Sequence, residues 1–163
     1  MARVLIVGCG CRGRELSVEL TTRGHAVRGT TRDPVRCADI AAAGAEPVVA
    51  DPDRLSTLVP HIDGVSVLCW LMGSAQGDDD AIDALHGPRL RSMAEKLVDS
   101  GVRGLVYEAA GSVDPGRLEA GRRLVGEVAE TWRMPTEIVD HDPADHEGWV
   151  TAFADAVDRV LLA

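Results

Sequence analysis

Residues 8–13 read Gly8-Cys9-Gly10-Cys11-Arg12-Gly13, a G-x-G-x-x-G run placed directly after Val4-Leu5-Ile6-Val7 and directly before a helical pattern. That spacing serves an anionic pyrophosphate. Gly8 permits the tight turn, Gly10 lets backbone approach the phosphates, and Gly13 lets the helix pack closely on the strand. The helix start then turns unpaired N–H groups toward the anion. Cys11 and Arg12 stand at that start. Arg12 either assists at the phosphates or is solvated, while Cys11 sits where a thiolate is favoured, although packing against the turn explains it more simply.

The next strand pattern ends at Thr30-Thr31-Arg32-Asp33, where an NAD enzyme carries an acidic residue for the ribose hydroxyls. Thr31 and Arg32 stand there instead. A guanidinium offers a donor fork to a 2′-phosphate and a flat face to adenine, so these residues favour NADP over NAD as the cofactor. Asp33 admits two readings: a ribose ligand, or the N-cap of a helix that begins at Pro34.

Other polar clusters have bland readings beside their chemical ones. Asp140-His141-Asp142-Pro143-Ala144-Asp145-His146-Glu147 offers histidines among carboxylates, but also reads as a polar loop that caps the last helix. Gly73 through Asp80 opens a long connection suited to a lid, its three aspartates reading as a solvated run or a helix start rather than a cation site. His86 and Ser112 read as loop or turn residues. No metal site is expected, and no catalytic residue is assigned.

Positioning the glycine turn requires a strand before it and a sheet beneath it. Apolar, β-branched runs recur at Val4–Val7, Ala26–Thr30, Glu46–Ala50, Gly64–Cys69, Gly104–Tyr107 and Thr136–Val139. Helical patterns fall between them at Arg12–Arg23, Pro34–Ala43, Asp53–Val59, Pro88–Ser100, Arg117–Thr131 and His146–Leu162. Regular alternation implies an α/β fold with a doubly wound parallel sheet, for which 3-2-1-4-5-6 is the natural order to expect. One domain is expected to fill residues 1–163.

The bulk properties exclude several classes. No apolar run approaches the roughly 20 residues of a membrane span. A net charge of -9 with one Tyr and one Phe opposes nucleic acid. The N-terminus enters a strand pattern without a secretory signature, and Cys9, Cys11, Cys37 and Cys69 lack metal-ligand spacing, so free thiols and a cytoplasmic location are expected.

The stretches Val4–Gly13, Gly24–Val27, Thr31–Pro34, Gly44–Asp51 and Gly101–Ala110 together resemble the extended and atypical short-chain dehydrogenase/reductases, the NAD(P)H-binding, NAD-dependent epimerase/dehydratase-like group. The resemblance covers residues 1–113. It implies that Asp51, beside Pro52, bonds the adenine amino group, and that Cys69 and Trp70 at the end of the fourth strand lie by the nicotinamide-side ribose. It also implies homodimers paired through the fourth and fifth helices. The family's Tyr-x-x-x-Lys pair is missing: Tyr107 lies in a strand and Lys96 on the preceding helix, and Ala109 and Ala110 replace the hydroxyl-bearing pair. Two functions follow as expectations. One is an oxidoreductase passing hydride to a small or flat acceptor; the other is a non-catalytic NADP(H)-binding sensor with a regulatory protein partner.

Overall fold

A computed structural model describes residues 2–163. Six strands pair in parallel in the order β3-β2-β1-β4-β5-β6: β1 Arg3–Val7, β2 Ala26–Thr31, β3 Glu46–Val49, β4 Val67–Trp70, β5 Gly104–Glu108 and β6 Thr136–Val139. The expected order is the observed one, with β1 at the centre between β2 and β4.

Period-two alternation sends neighbouring side chains to opposite faces. Val4, Ile6, Val67, Cys69 and Val106 go to one face, where α1 (Cys11–Thr22), α2 (Cys37–Ala42) and α6 (His146–Leu162) cover them with Leu16, Leu20, Ile40, Trp149 and Phe153. Leu5, Val7, Leu68, Trp70, Leu105 and Tyr107 go to the other, under α3 (Asp79–Leu85), α4 (Pro88–Val98) and α5 (Pro115–Trp132). Both faces are buried, which is why the strands read as apolar runs rather than alternating ones.

Three elements differ from the sequence reading. The expected helix at Asp53–Val59 is a pair of 3₁₀ turns, Leu55–Thr57 and Val59–His61. Pro60 supplies no N–H to an α-helical ladder there, and Thr57 Oγ1 bonds back to Asp51. The expected helix from Pro34 starts as a 3₁₀ turn, Pro34–Arg36, before α2. The connection after β4 contains a helix of its own, α3, whose N-cap Asp78 accepts a hydrogen bond from Ala81 N–H. The acidic run there is a helix start. Among the described residues, no helix is long and apolar enough to cross a membrane.

Tyr107, the chain's single tyrosine, is fully buried at the end of β5. His86 caps α3 and bonds Tyr107 Oη through Nδ1 at 2.6 Å and Met72 O through Nε2 at 2.9 Å. A carbonyl only accepts, so Nε2 carries the proton and Nδ1 accepts from the phenol. Burial lowers the His86 pKa and raises that of Tyr107, keeping both neutral. Helix α5 crosses this pair at Gly121, where an added Cβ would lie 2.5 Å from Tyr107 Cζ and closer still to its hydroxyl. Gly121→Ala is therefore expected to cost about 1–3 kcal/mol. Thermal unfolding checks it; an unchanged Tm would mean that α5 does not seat on Tyr107.

Candidate functional site

The glycine turn lies at the carboxyl edge of the central strand, where open α/β sheets leave a crevice. Gly8 has φ +85°, and an added Cβ would stand 2.6 Å from Leu71 O, so only glycine fits. Thr30 ties the turn to β2: its Oγ1 accepts from Gly8 N–H at 3.1 Å and its carbonyl from Cys9 N–H at 2.9 Å. Gly13 is buried against the strand, a Cβ there meeting Cys9 Sγ at 3.2 Å and Ile6 Cγ2 at 3.4 Å. Gly10 differs: a Cβ built on it meets nothing within 4 Å. The first helical bond runs from Arg14 N–H to Gly10 O, so the N–H groups of Cys11, Arg12 and Gly13 have no intrahelical acceptor. Packed glycines on either side and an open one between form a cradle beside those N–H groups.

A cleft of about 680 Å³ extends from this cradle. Of the residues that the sequence reading named as cofactor ligands, Gly8, Gly10, Cys11, Arg12, Gly13, Thr31, Arg32, Asp51 and Pro52 line it. Arg36, which sequence reasoning passed over, also lines the cleft; a second arginine close behind Arg32 in the sequence was the available signal. Asp33 is the cap of the two alternatives: its Oδ1 accepts from Val35 N–H at 3.0 Å, and it is not among the cleft's residues. Asp51 lines the cleft with Oδ1 held by Asp53 N–H at 2.9 Å.

Cys69 and Trp70 correct the resemblance. Both are fully buried, burial pushes the Cys69 thiol far up, and the Trp70 indole N–H donates to Leu85 O at 3.0 Å. Their side chains belong to the core, because the strand's alternation carries them into the two helical layers. The residues that reach the cleft from this end are Leu71 and Met72.

Arg12 departs from a simple phosphate ligand. Its Nη2 lies 3.3 Å from Glu108 Oε2 and 3.5 Å from Oε1, and its guanidinium sits 5.7 Å over the Trp149 ring. Glu108 ends β5 with no solvent exposure, and its Oε1 also accepts from Gly73 N–H at 2.7 Å. One carboxylate thus joins the glycine turn, through Arg12, to the loop after β4. Burial raises the Glu108 pKa, opposed by the Arg12 charge. Arg12 Nε, Glu108 Oε2 and Trp149 Nε1 meet here as buried atoms without hydrogen-bond partners. Glu108 was also missed in the sequence, where a charge closing an apolar strand at the ligand edge could have marked it.

A second cavity, about 790 Å³, lies beyond Arg12 and Ser74, which line both spaces. Its walls come from Ala109–Ser112 after β5, from the start of α5, and from Asp140 and Asp142–Ala144 after β6. His141 does not line it; Nε2–H donates to Asp145 Oδ2 at 2.8 Å, which holds the Asp145 carboxyl below the usual range while its other oxygen caps Gly148 N–H. The capping reading of this loop is the observed one. Ser112 is an exposed turn residue whose N–H donates to Ser74 Oγ at 3.1 Å. No three His, Cys, Asp or Glu residues converge on a metal position among the described residues.

The profile of the NAD(P)H-binding family matches residues 8–147. No curated protein matches the chain by sequence. Among solved structures, a protein assigned as an NAD-dependent epimerase/dehydratase from Bacillus halodurans superposes with TM-score 0.74 at 18% identity, over 88% of this chain and 71% of that one. A short-chain dehydrogenase/reductase superfamily protein from Agrobacterium tumefaciens with bound NAD gives 0.68 at 22% identity, over 85% and 48%. The triphenylmethane reductase of Citrobacter sp., complexed with NADP(H), gives 0.62 at 17%, over 85% and 49%. The chain spans about half the length of the last two.

Proposed function

Because the chain belongs to the NAD(P)H-binding family, we propose that its cleft holds NADP(H) and that the protein is an atypical short-chain oxidoreductase acting on a small or flat acceptor. The observation that carries this reading is the cleft itself, with open Gly10 and three unpaired N–H groups at one end and two exposed arginines at the other. The pyrophosphate lies on the N–H groups of Cys11, Arg12 and Gly13. Arg32 and Arg36 take the 2′-phosphate, which the capping role of Asp33 supports, since its carboxylate is engaged away from the ribose. Asp51 meets the adenine. When bound, the nicotinamide supplies or takes a hydride. Ser74 and Arg12, which line both spaces, would hold that end of the cofactor, and the second cavity would receive the acceptor. The four free cysteines suit the reducing cytoplasm, where we place the protein.

The residues restrict the proton chemistry. Tyr107 is sealed against His86, and among the described residues no His, Tyr or Lys lines either cavity. Water or a carboxyl group of the second cavity is then the proton source, and the chain contributes mainly position and electrostatics. The same burial favours a second reading, a non-catalytic sensor of NADP(H). Oxidation of NADPH by quinone or flavin acceptors separates the two: turnover above the buffer rate supports the enzyme, and its absence with every acceptor supports the sensor.

The cofactor preference is checked by Arg32→Ala and Arg36→Ala. Each is expected to weaken NADPH about 5- to 20-fold and NADH by less than about twofold, because only the phosphorylated form uses the lost charge-assisted bonds. Equal losses for both nucleotides would put the arginines elsewhere than the 2′-phosphate.

A further inference from the structure

The second cavity has no assigned ligand, and its charge is unusual for a space beside a phosphate-binding turn. Two arginines line it, and both are neutralised: Arg12 by the buried Glu108, and Arg122 by Asp140 at 3.1 Å. Two further carboxylates on its wall, Glu119 and Asp142, have no cationic partner among the described residues. The Asp142 carboxylate accepts only the backbone N–H of Ala144 among the described residues. Four negative charges therefore stand against two positive ones.

Two helix starts nearby could offset this with their N–H groups, but each already carries a carboxylate. Asp114 accepts from Gly116 N–H at the start of α5, and Asp145 from Gly148 N–H at the start of α6. The remaining wall is mostly small groups, apolar at Ala109, Ala110, Pro115 and Leu118 and polar at Ser74 and Ser112. Such a space holds a compact apolar body at low desolvation cost, and its unbalanced carboxylates repel an anion while attracting a cation.

We propose that the second cavity binds positively charged small molecules with an apolar body and discriminates against anionic ones of like size. This rests on the reading of the first cleft as the dinucleotide site, since that reading makes the second cavity the place of the acceptor. Glu119 and Asp142 are the residues that set the preference, while Arg12 and Arg122 are each already paired with a carboxylate.

The test is a titration of the full chain with two planar dyes, cationic methylene blue and anionic resorufin, with saturating NADP+ so that no hydride is available, and again without nucleotide. Two unbalanced carboxylates about 6–8 Å from the ligand favour the cation by at least about tenfold in Kd at low salt, and the ratio narrows as salt rises. Glu119→Gln and Asp142→Asn are each expected to weaken methylene blue about threefold. Neither is expected to change NADP+ binding. Glu95→Gln, an exposed change of the same charge on α4 outside both cavities, leaves the dye ratio unaltered. Equal binding of the two dyes, tighter resorufin, or the same loss in Glu95→Gln overturns the proposal. Failure of NADP+ to bind while the dye preference stands strikes the dinucleotide reading alone.

Discussion

Gly10→Val is expected to weaken dinucleotide binding by about 100-fold or more while the protein stays folded. The separation of the two effects comes from where Gly10 points. Its neighbours Gly8 and Gly13 face protein, so a side chain on either strains the turn or lifts α1 from the sheet. At Gly10 a Cβ meets nothing within 4 Å, and the backbone is extended at φ -83° and ψ -152°. Valine therefore projects into the cradle and stands where the pyrophosphate approaches the N–H groups of α1. Thermal unfolding and nucleotide titration of the same preparation check both halves. Binding retained in a folded Gly10→Val protein would mean that the phosphates lie somewhere other than this turn.

Glu108→Ala is expected to destabilise the fold by about 2–4 kcal/mol, because removing one partner of a buried pair strands the other. Arg12 would lose its counter-charge and Gly73 N–H its acceptor. For a chain of this size that is a fall in Tm of about 2–4 °C per kcal/mol. Glu108→Gln keeps an acceptor for Gly73 and serves as the reference for pH. Burial raises the folded-state pKa of Glu108 above its ordinary 4.5, so the folded protein takes up this proton before the unfolded chain does. Wild-type stability should therefore rise relative to Glu108→Gln as pH falls from the raised folded-state pKa toward 4.5. A gap that shrinks over the same window would mean that the Arg12 charge outweighs burial.

Much of this was legible in the chain because local chemistry and global fold agree there. Val4 to Gly13 carries strand, turn and helix start in ten residues, and nothing tertiary overrides them. Alternation and handedness pointed to a parallel doubly wound sheet, and the glycine turn after its first strand made 3-2-1-4-5-6 the natural order. The short connections were harder: Asp53–Val59 has helical composition, yet Pro60 and the Thr57 hydroxyl turn it into 3₁₀ pieces, and α3 is too brief for a clear apolar period. The site was legible where a residue acts through its own backbone, as the glycines do. It was not legible where a role depends on what stands opposite. Trp70 looked free to touch a ligand until α3 closed over it, and Glu108 acquires meaning only because α1 brings Arg12 to it across 96 residues of sequence.

The most direct measurement is a calorimetric titration of the purified full chain with NADPH, NADP+, NADH and NAD+ under one set of conditions. One site per chain is predicted, with the phosphorylated pair bound about tenfold or more tightly than the other two. No heat from any of the four, with the protein folded, would contradict the assignment of the cleft and reduce Gly8–Gly13 to a structural turn.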